Sequence, residues 1–112
     1  MSDPVVIVAA KRTAIGTLGG GLSTTPASDL GAIVIKAVME DSKLGADDVN
    51  EVLMGQVLTA GCGQNPARQA AIKAGLSDAS TAMTVNQVCG SGLRTVAMGV
   101  QAILSGDADI VI

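Results

Sequence analysis

The chain of 112 residues contains no Phe, Tyr, Trp or His. Aromatic side chains each bury a large area. A core without them must be filled by Val, Ile, Leu, Met and Ala through many small contacts. No ring is present to stack on a nucleobase, and the 7 basic residues are scattered rather than striped. These features argue against a nucleic-acid partner. The lack of histidine removes a histidine ligand or base, and with it every Cys–His or Ser–His–Asp device built from these residues alone. Only two cysteines occur, Cys62 and Cys89. They could form one disulfide, but a non-secreted chain is expected to keep both reduced. Two cysteines without histidine also argue against zinc. No apolar run approaches the roughly 20 residues of a membrane helix. Met1-Ser2-Asp3-Pro4 has no basic character before the short apolar run, and Lys11-Arg12 follows that run, so the N-terminus does not read as a signal peptide. A cytoplasmic protein with no membrane partner is the expectation. The net charge is −3.

The residues present alternate between two patterns. Val5–Ala10 is continuously apolar and rich in β-branched residues, which predicts a strand buried on both faces. Gly16–Gly21 reads as a loop and fits neither G-x-x-x-x-G-K-[ST] nor G-x-G-x-x-G. Ser28 or Asp29 is expected to cap a helix whose apolar face is Leu30, Ile33, Val34, Ala37 and Val38, ending near Lys43. Residues 51–58 read as a second strand and Ala60–Gln64 as a loop. Asn65-Pro66 predicts a helix start, with Asn as cap and Pro at the first helical position. That helix runs to Lys73, is stopped by Gly75, and its small side chains suit close packing, as against another subunit. Residues 82–88 predict a third strand. Leu93, Val96, Ala97, Val100, Ile103 and Leu104 predict one face of a third helix, ended by Gly106, and residues 109–112 a fourth strand. The order β-α-β-α-β-α-β predicts an α/β fold with a mostly parallel sheet layered with helices. One domain spans residues 1–112. Because its last residues read as a strand without a polar tail, it is expected to be a fragment truncated after the fourth strand.

Val85-Asn86-Gln87-Val88-Cys89-Gly90-Ser91-Gly92-Leu93-Arg94 is where chemistry concentrates. A strand ends, a cysteine sits at the bend, and a helix begins. A helix N-terminus presents free N–H groups and the positive end of the dipole, which lowers a thiol pKa and favours the thiolate. The same N–H groups can stabilise an oxyanion when sulfur attacks a carbonyl. Glycines 90 and 92 leave the backbone open to a substrate. These features make Cys89 a candidate acyl-accepting nucleophile. Two other readings stand beside it. Cys89 could be a small buried hydrophobe, as many free cysteines are. Gly90–Thr95 could be a dinucleotide-binding turn, although Thr95 stands where that fingerprint wants Gly or Ala. Cys62, in a glycine-flanked loop, reads as incidental.

The segments Val6–Gly16, Gly55–Leu58, Gly63–Ala71 and Val85–Arg94, in this order, resemble the thiolase family. The resemblance covers nearly the whole chain. The version Cys-Gly-Ser-Gly-Leu-Arg at 89–94 is more similar to acetoacetyl-CoA thiolases than to long-chain 3-ketoacyl-CoA thiolases, which more often read Cys-Ser-Ser-Gly. Leu18 stands in a loop position where the family often has Phe.

The resemblance implies an acyltransferase, acetyl-CoA C-acetyltransferase, of which this chain is the N-terminal part. Cys89 would carry the acetyl group as a thioester in the Claisen condensation of two acetyl-CoA molecules to acetoacetyl-CoA, or in the reverse thiolysis. Its backbone N–H would be one oxyanion donor. Coenzyme A thioesters would be substrates, and no cofactor or metal is implied. Residues 65–71 would support the catalytic loop near a subunit interface of a homodimer or homotetramer. The family's activating histidine, second cysteine, Asn-bound water and most of the CoA surface lie in a second half, so these 112 residues alone are expected to be inactive. A 3-ketoacyl-CoA thiolase of broader chain length, or a non-catalytic truncated module that pairs through its strand edge, are the alternatives.

Overall fold

The computed structural model describes residues 3–112, so Met1 and Ser2, part of the N-terminal stretch discussed above, lie outside the described residues. Strand β1 (Glu51–Gly55) runs through the centre of the sheet. It pairs in parallel with β2 (Thr81–Val85), in a register from Glu51 opposite Thr81 to Gly55 opposite Val85. On its other edge the chain's last residues run parallel to it. Ile112 N–H donates to Glu51 O at 3.0 Å and Leu53 N–H to Ile112 O at 2.7 Å, around a bridge between Glu51 and Val111. The parallel α/β arrangement expected from the alternation is therefore present. Val52 and Leu53 point to opposite faces and both are buried, as a covered parallel strand requires.

Helices α1 (Ala27–Ser42), α2 (Pro66–Lys73) and α3 (Ser91–Ser105) supply the connections. Asn65 caps α2 as expected: its side chain accepts from Arg68 N–H, and Pro66 takes the first position. Past Lys73 the Gly75 N–H closes onto Ile72 O and the Leu76 N–H onto Ala71 O, so the helix stops where expected. The start of α1 differs. Pro26 is the cap residue and has no side-chain cap bond; its carbonyl accepts from both Asp29 and Leu30. Ser28 and Asp29 lie inside the first turn. Their oxygens instead receive Lys73 Nζ, at 2.8 and 2.6 Å, and tie α1 to α2.

The buried faces of two helices also differ from the apolar stripes. On α1 the buried residues are Ser28, Gly31, Ala32 and Ile35, while Ile33 is exposed. On α3 they are Ser91 and Gly99, while Leu93, Val96, Val100 and Leu104 are exposed. The reason is close packing by small residues. A Cβ built on Gly31 would lie 2.9 Å from Ala70 Cβ. Helix α2, with Ala67, Ala70 and Ala71 buried, therefore finds its close-packed neighbour in α1 of the same chain. Ile35 and Val52 are the largest fully buried side chains, clustered with Val49, Ala70, Ala71 and Leu76.

Three strands differ in extent. Residues 5–10 are extended but join no ladder, and Val6, Ile7 and Val8 remain 65%, 78% and 70% exposed. Both edges of β1 are already taken, and the 110–112 stretch that faces the same cleft offers only three residues to pair with. Lys11 anchors the segment instead, through an ion pair with Asp41 at 2.9 Å. The strand expected over 51–58 ends at Gly55 and that over 82–88 shifts to Thr81–Val85, because the chain turns there to admit α3. Of residues 109–112, Val111 alone forms a bridge.

Ile35 sits at 0% exposure in the middle of this core. Ile35→Ala is expected to lower unfolding stability by about 2–5 kcal/mol, the range for truncating a buried aliphatic side chain. The midpoint of a denaturant titration reads it directly.

Candidate functional site

Cys89 stands on a sharp turn between β2 and α3. Residues 86–90 form the turn, Gly90 takes the cap position of α3, and Ser91 is the first helical residue. Helix α3 can start here because the end of β1 makes room for it. A Cβ on Gly55 would lie 2.8 Å from Ser91 Cβ and 2.9 Å from the backbone N of Gly92 and C of Ser91. No side chain fits between strand and helix, so the first turn of α3 rests on bare backbone.

The turn is strained at one residue. Val88 has φ +49°, in the left-handed region that a β-branched residue rarely enters. Its N–H donates to Asn86 Oδ1 at 2.9 Å, a local turn of the kind Asn forms with the residue two ahead. Its carbonyl accepts from Ser91 Oγ at 2.7 Å and from Ser91 N–H at 3.1 Å. Ser91 Oγ in turn accepts Gln87 N–H at 2.8 Å, and Gly90 N–H donates to Gln87 O at 3.0 Å. Asn86 Nδ2 reaches across to Val57 O at 3.2 Å and joins the turn to the chain leaving β1.

This arrangement leaves Cys89 exposed and free, which excludes its reading as a small buried hydrophobe. Cys62 is also free and half-buried, with Gln56 Nε2 at 3.4 Å from its sulfur, so the two thiols are not joined. Among the described residues, the N–H groups of Cys89, Gly92 and Leu93 have no intramolecular partner. Donors of this kind beside a sulfur can receive an anionic oxygen. The dinucleotide reading loses ground at Thr95, whose hydroxyl donates to Gly92 O at 2.6 Å; close helix–strand packing is supplied by Gly55 instead. The largest cleft, about 420 Å³, lies between residues 5–11, α1, the middle of α3 and residues 110–112, and Cys89 does not line it.

Asn65 supports the site from beneath. Its φ is +41°; its Oδ1 accepts from Thr84 Oγ1 at 2.7 Å and its Nδ2 donates to Ala82 O at 3.0 Å. Thr84 Oγ1 accepts Ala67 N–H at 3.0 Å. The start of α2 is thereby tied to β2, the strand that leads to Cys89.

Residues 5–112 match the profile of the thiolase N-terminal domain. This chain belongs to the thiolase family. Among curated thiolase relatives, the acetyl-CoA acetyltransferase of Chromobacterium violaceum is 65% identical over 108 residues, which is 96% of this chain and 28% of that protein. The acetyl-CoA acetyltransferase of Cupriavidus necator is 60% identical over 112 residues, 100% of this chain and 28% of that protein. The cytosolic acetyl-CoA acetyltransferase of Rattus norvegicus is 50% identical over 111 residues, 99% and 28% respectively. The chain thus spans about 28% of the length of the relatives it matches.

Sequence reasoning placed Cys89 on the thiolase turn but assigned no part to Val88, Ser91, Asn86 or Gly55. The Asn two residues before Val88 and the glycine at the end of a strand were the available signals. Gly55→Ala tests the close approach. It forces a methyl group against backbone atoms of α3 and is expected to destabilise by about 1–3 kcal/mol, as overpacking does. Gly92→Ala meets nothing within 4 Å and is expected to leave the melting temperature unchanged or slightly raised. Parallel thermal melts of the two variants make the comparison.

Proposed function

We propose that this chain is the N-terminal part of an acetyl-CoA C-acetyltransferase in which Cys89 is the acyl-carrying nucleophile. The observation that carries the reading is an exposed thiol on a strained strand–helix turn, beside N–H donors without intramolecular partners. The names of the relatives support acetyl-CoA as the substrate.

The steps follow from the groups at the turn. Cys89 sulfur attacks the carbonyl carbon of acetyl-CoA. The carbonyl oxygen becomes an oxyanion, and the Cys89 N–H is a donor in reach of it by virtue of its place on the same residue. The C–S bond to CoA breaks, CoA leaves as its thiol, and the acetyl group remains on Cys89 as a thioester. Loss of a proton from the methyl carbon of a second acetyl-CoA gives a carbanion that attacks this thioester. A C–C bond forms, the Cys89–acyl bond breaks, and acetoacetyl-CoA is released. Thiolysis is the reverse. The chain has no histidine, so a histidine base for either proton transfer belongs to residues beyond these 112. Coenzyme A enters only as the thioester substrate, and no resident cofactor or metal is invoked. Assembly as a homodimer or homotetramer and a cytoplasmic location complete the reading; the cytosolic relative in rat supports the latter.

The test is incubation of the full-length protein with acetyl-CoA, rapid quenching and peptide mass mapping. Acetyl is expected on the Cys89 peptide. Cys89→Ala is expected to lose both the label and turnover, while Cys62→Ser keeps both. Label confined to another residue, or turnover retained by Cys89→Ala, overturns the assignment.

A further inference from the structure

We propose that Ser91 is the positioning residue for Cys89: its buried hydroxyl locks Val88 in the left-handed conformation that presents the thiol. The proposal rests on the assignment of Cys89 above and adds a residue to it. Ser91 is 4% exposed, one of the few buried polar side chains of the chain. Its hydroxyl has no part in capping, since the N-cap of α3 is Gly90 without a side-chain bond. Both its hydrogen-bonding capacities are spent on the turn instead. It donates to Val88 O at 2.7 Å and accepts Gln87 N–H at 2.8 Å, so one oxygen clamps the two residues that precede Cys89.

The clamp matters because Val88 resists its conformation. A valine at φ +49° stores strain that the surroundings must over-determine, or the backbone relaxes to φ below zero. Relaxation at Val88 rotates the next peptide, and that peptide carries the N–H and Cα of Cys89. Asn86 holds only the Val88 N–H. The Ser91 N–H also reaches Val88 O, but that bond belongs to the backbone and survives any substitution of the side chain. The hydroxyl is therefore the side-chain restraint that a mutation can remove cleanly. Gly55 keeps it in register by letting Ser91 Cβ seat directly on the end of β1.

The experiment uses the full-length protein with Ser91→Ala, Ser91→Thr and the double variant Ser91→Ala/Val88→Gly. Two rates are followed at Cys89 by peptide mapping: acetylation by acetyl-CoA and alkylation by iodoacetamide. In Ser91→Ala, misplacement of the sulfur is expected to slow acetylation about tenfold to a hundredfold and to lower kcat with KM for acetyl-CoA little changed. Ser91→Thr keeps the hydroxyl and is expected to hold kcat above that of Ser91→Ala. Val88→Gly removes the strain, so the double variant is expected to recover a large part of the lost rate. A general loss of stability does not produce that recovery. If Ser91→Ala does not fold, the double variant carries the test, and a folded protein with a slow Cys89 overturns the proposal. Wild-type acetylation and alkylation in Ser91→Ala overturn it as well. If wild-type Cys89 takes no acetyl group, the acyltransferase reading fails, and the iodoacetamide rates alone decide the positioning role.

Discussion

The seating of α3 on Gly55 is the contact on which the rest of the structure turns. It sets the angle at which the chain leaves β2, because a helix start that must touch the end of β1 leaves only residues 86–90 to make the bend. A bend that short cannot be made with ordinary backbone angles throughout. The excess falls on Val88, and the hydroxyl of Ser91 and the amide of Asn86 hold it there. Strain, exposure of Cys89 and the unpartnered N–H groups are thus consequences of one close approach rather than separate features.

The same logic of close approach runs through the chain and follows from its composition. Without aromatic rings, volume is filled by bringing backbones together. Gly31 against Ala70 does this between α1 and α2, and Gly55 against Ser91 between β1 and α3. Glycine, alanine and serine therefore occupy the buried helix faces, while several leucines, isoleucines and valines face outward. Hydropathy periodicity weights the largest side chains, so it found each helix and read the wrong face of α1 and α3. Where packing is driven by small residues, the apolar stripe and the buried stripe part company.

Other parts of the fold were legible because local chemistry dictated them. Asn65-Pro66 announced α2 through capping alone, and alternation of patterns announced parallel pairing. Residues 5–10 failed for the opposite reason. Their β-branched composition specifies an extended backbone, but a strand also needs an unpaired neighbour, and β1 has none left to offer. The turn at Cys89 was recognisable as strand, cysteine and helix. Its decisive element was not, because φ +49° at a valine contradicts the residue's own preference. Such a conformation can be imposed only by surroundings that a linear pattern does not display.

That contradiction explains why valine, and not glycine, stands before the cysteine. Glycine enters the left-handed region without cost, and for the same reason leaves it freely. A turn with glycine at 88 would sample several orientations of the thiol and spend part of its time in unproductive ones. Valine has few alternatives once the Ser91 and Asn86 bonds close, so the strain it stores is exchanged for a narrower range of positions. Reactivity that depends on the placement of sulfur relative to a few N–H groups gains more from narrowness than it loses from strain. The N-terminal segment of this thiolase then has a definite task. It fixes where the sulfur is, and leaves the choice of base to residues elsewhere.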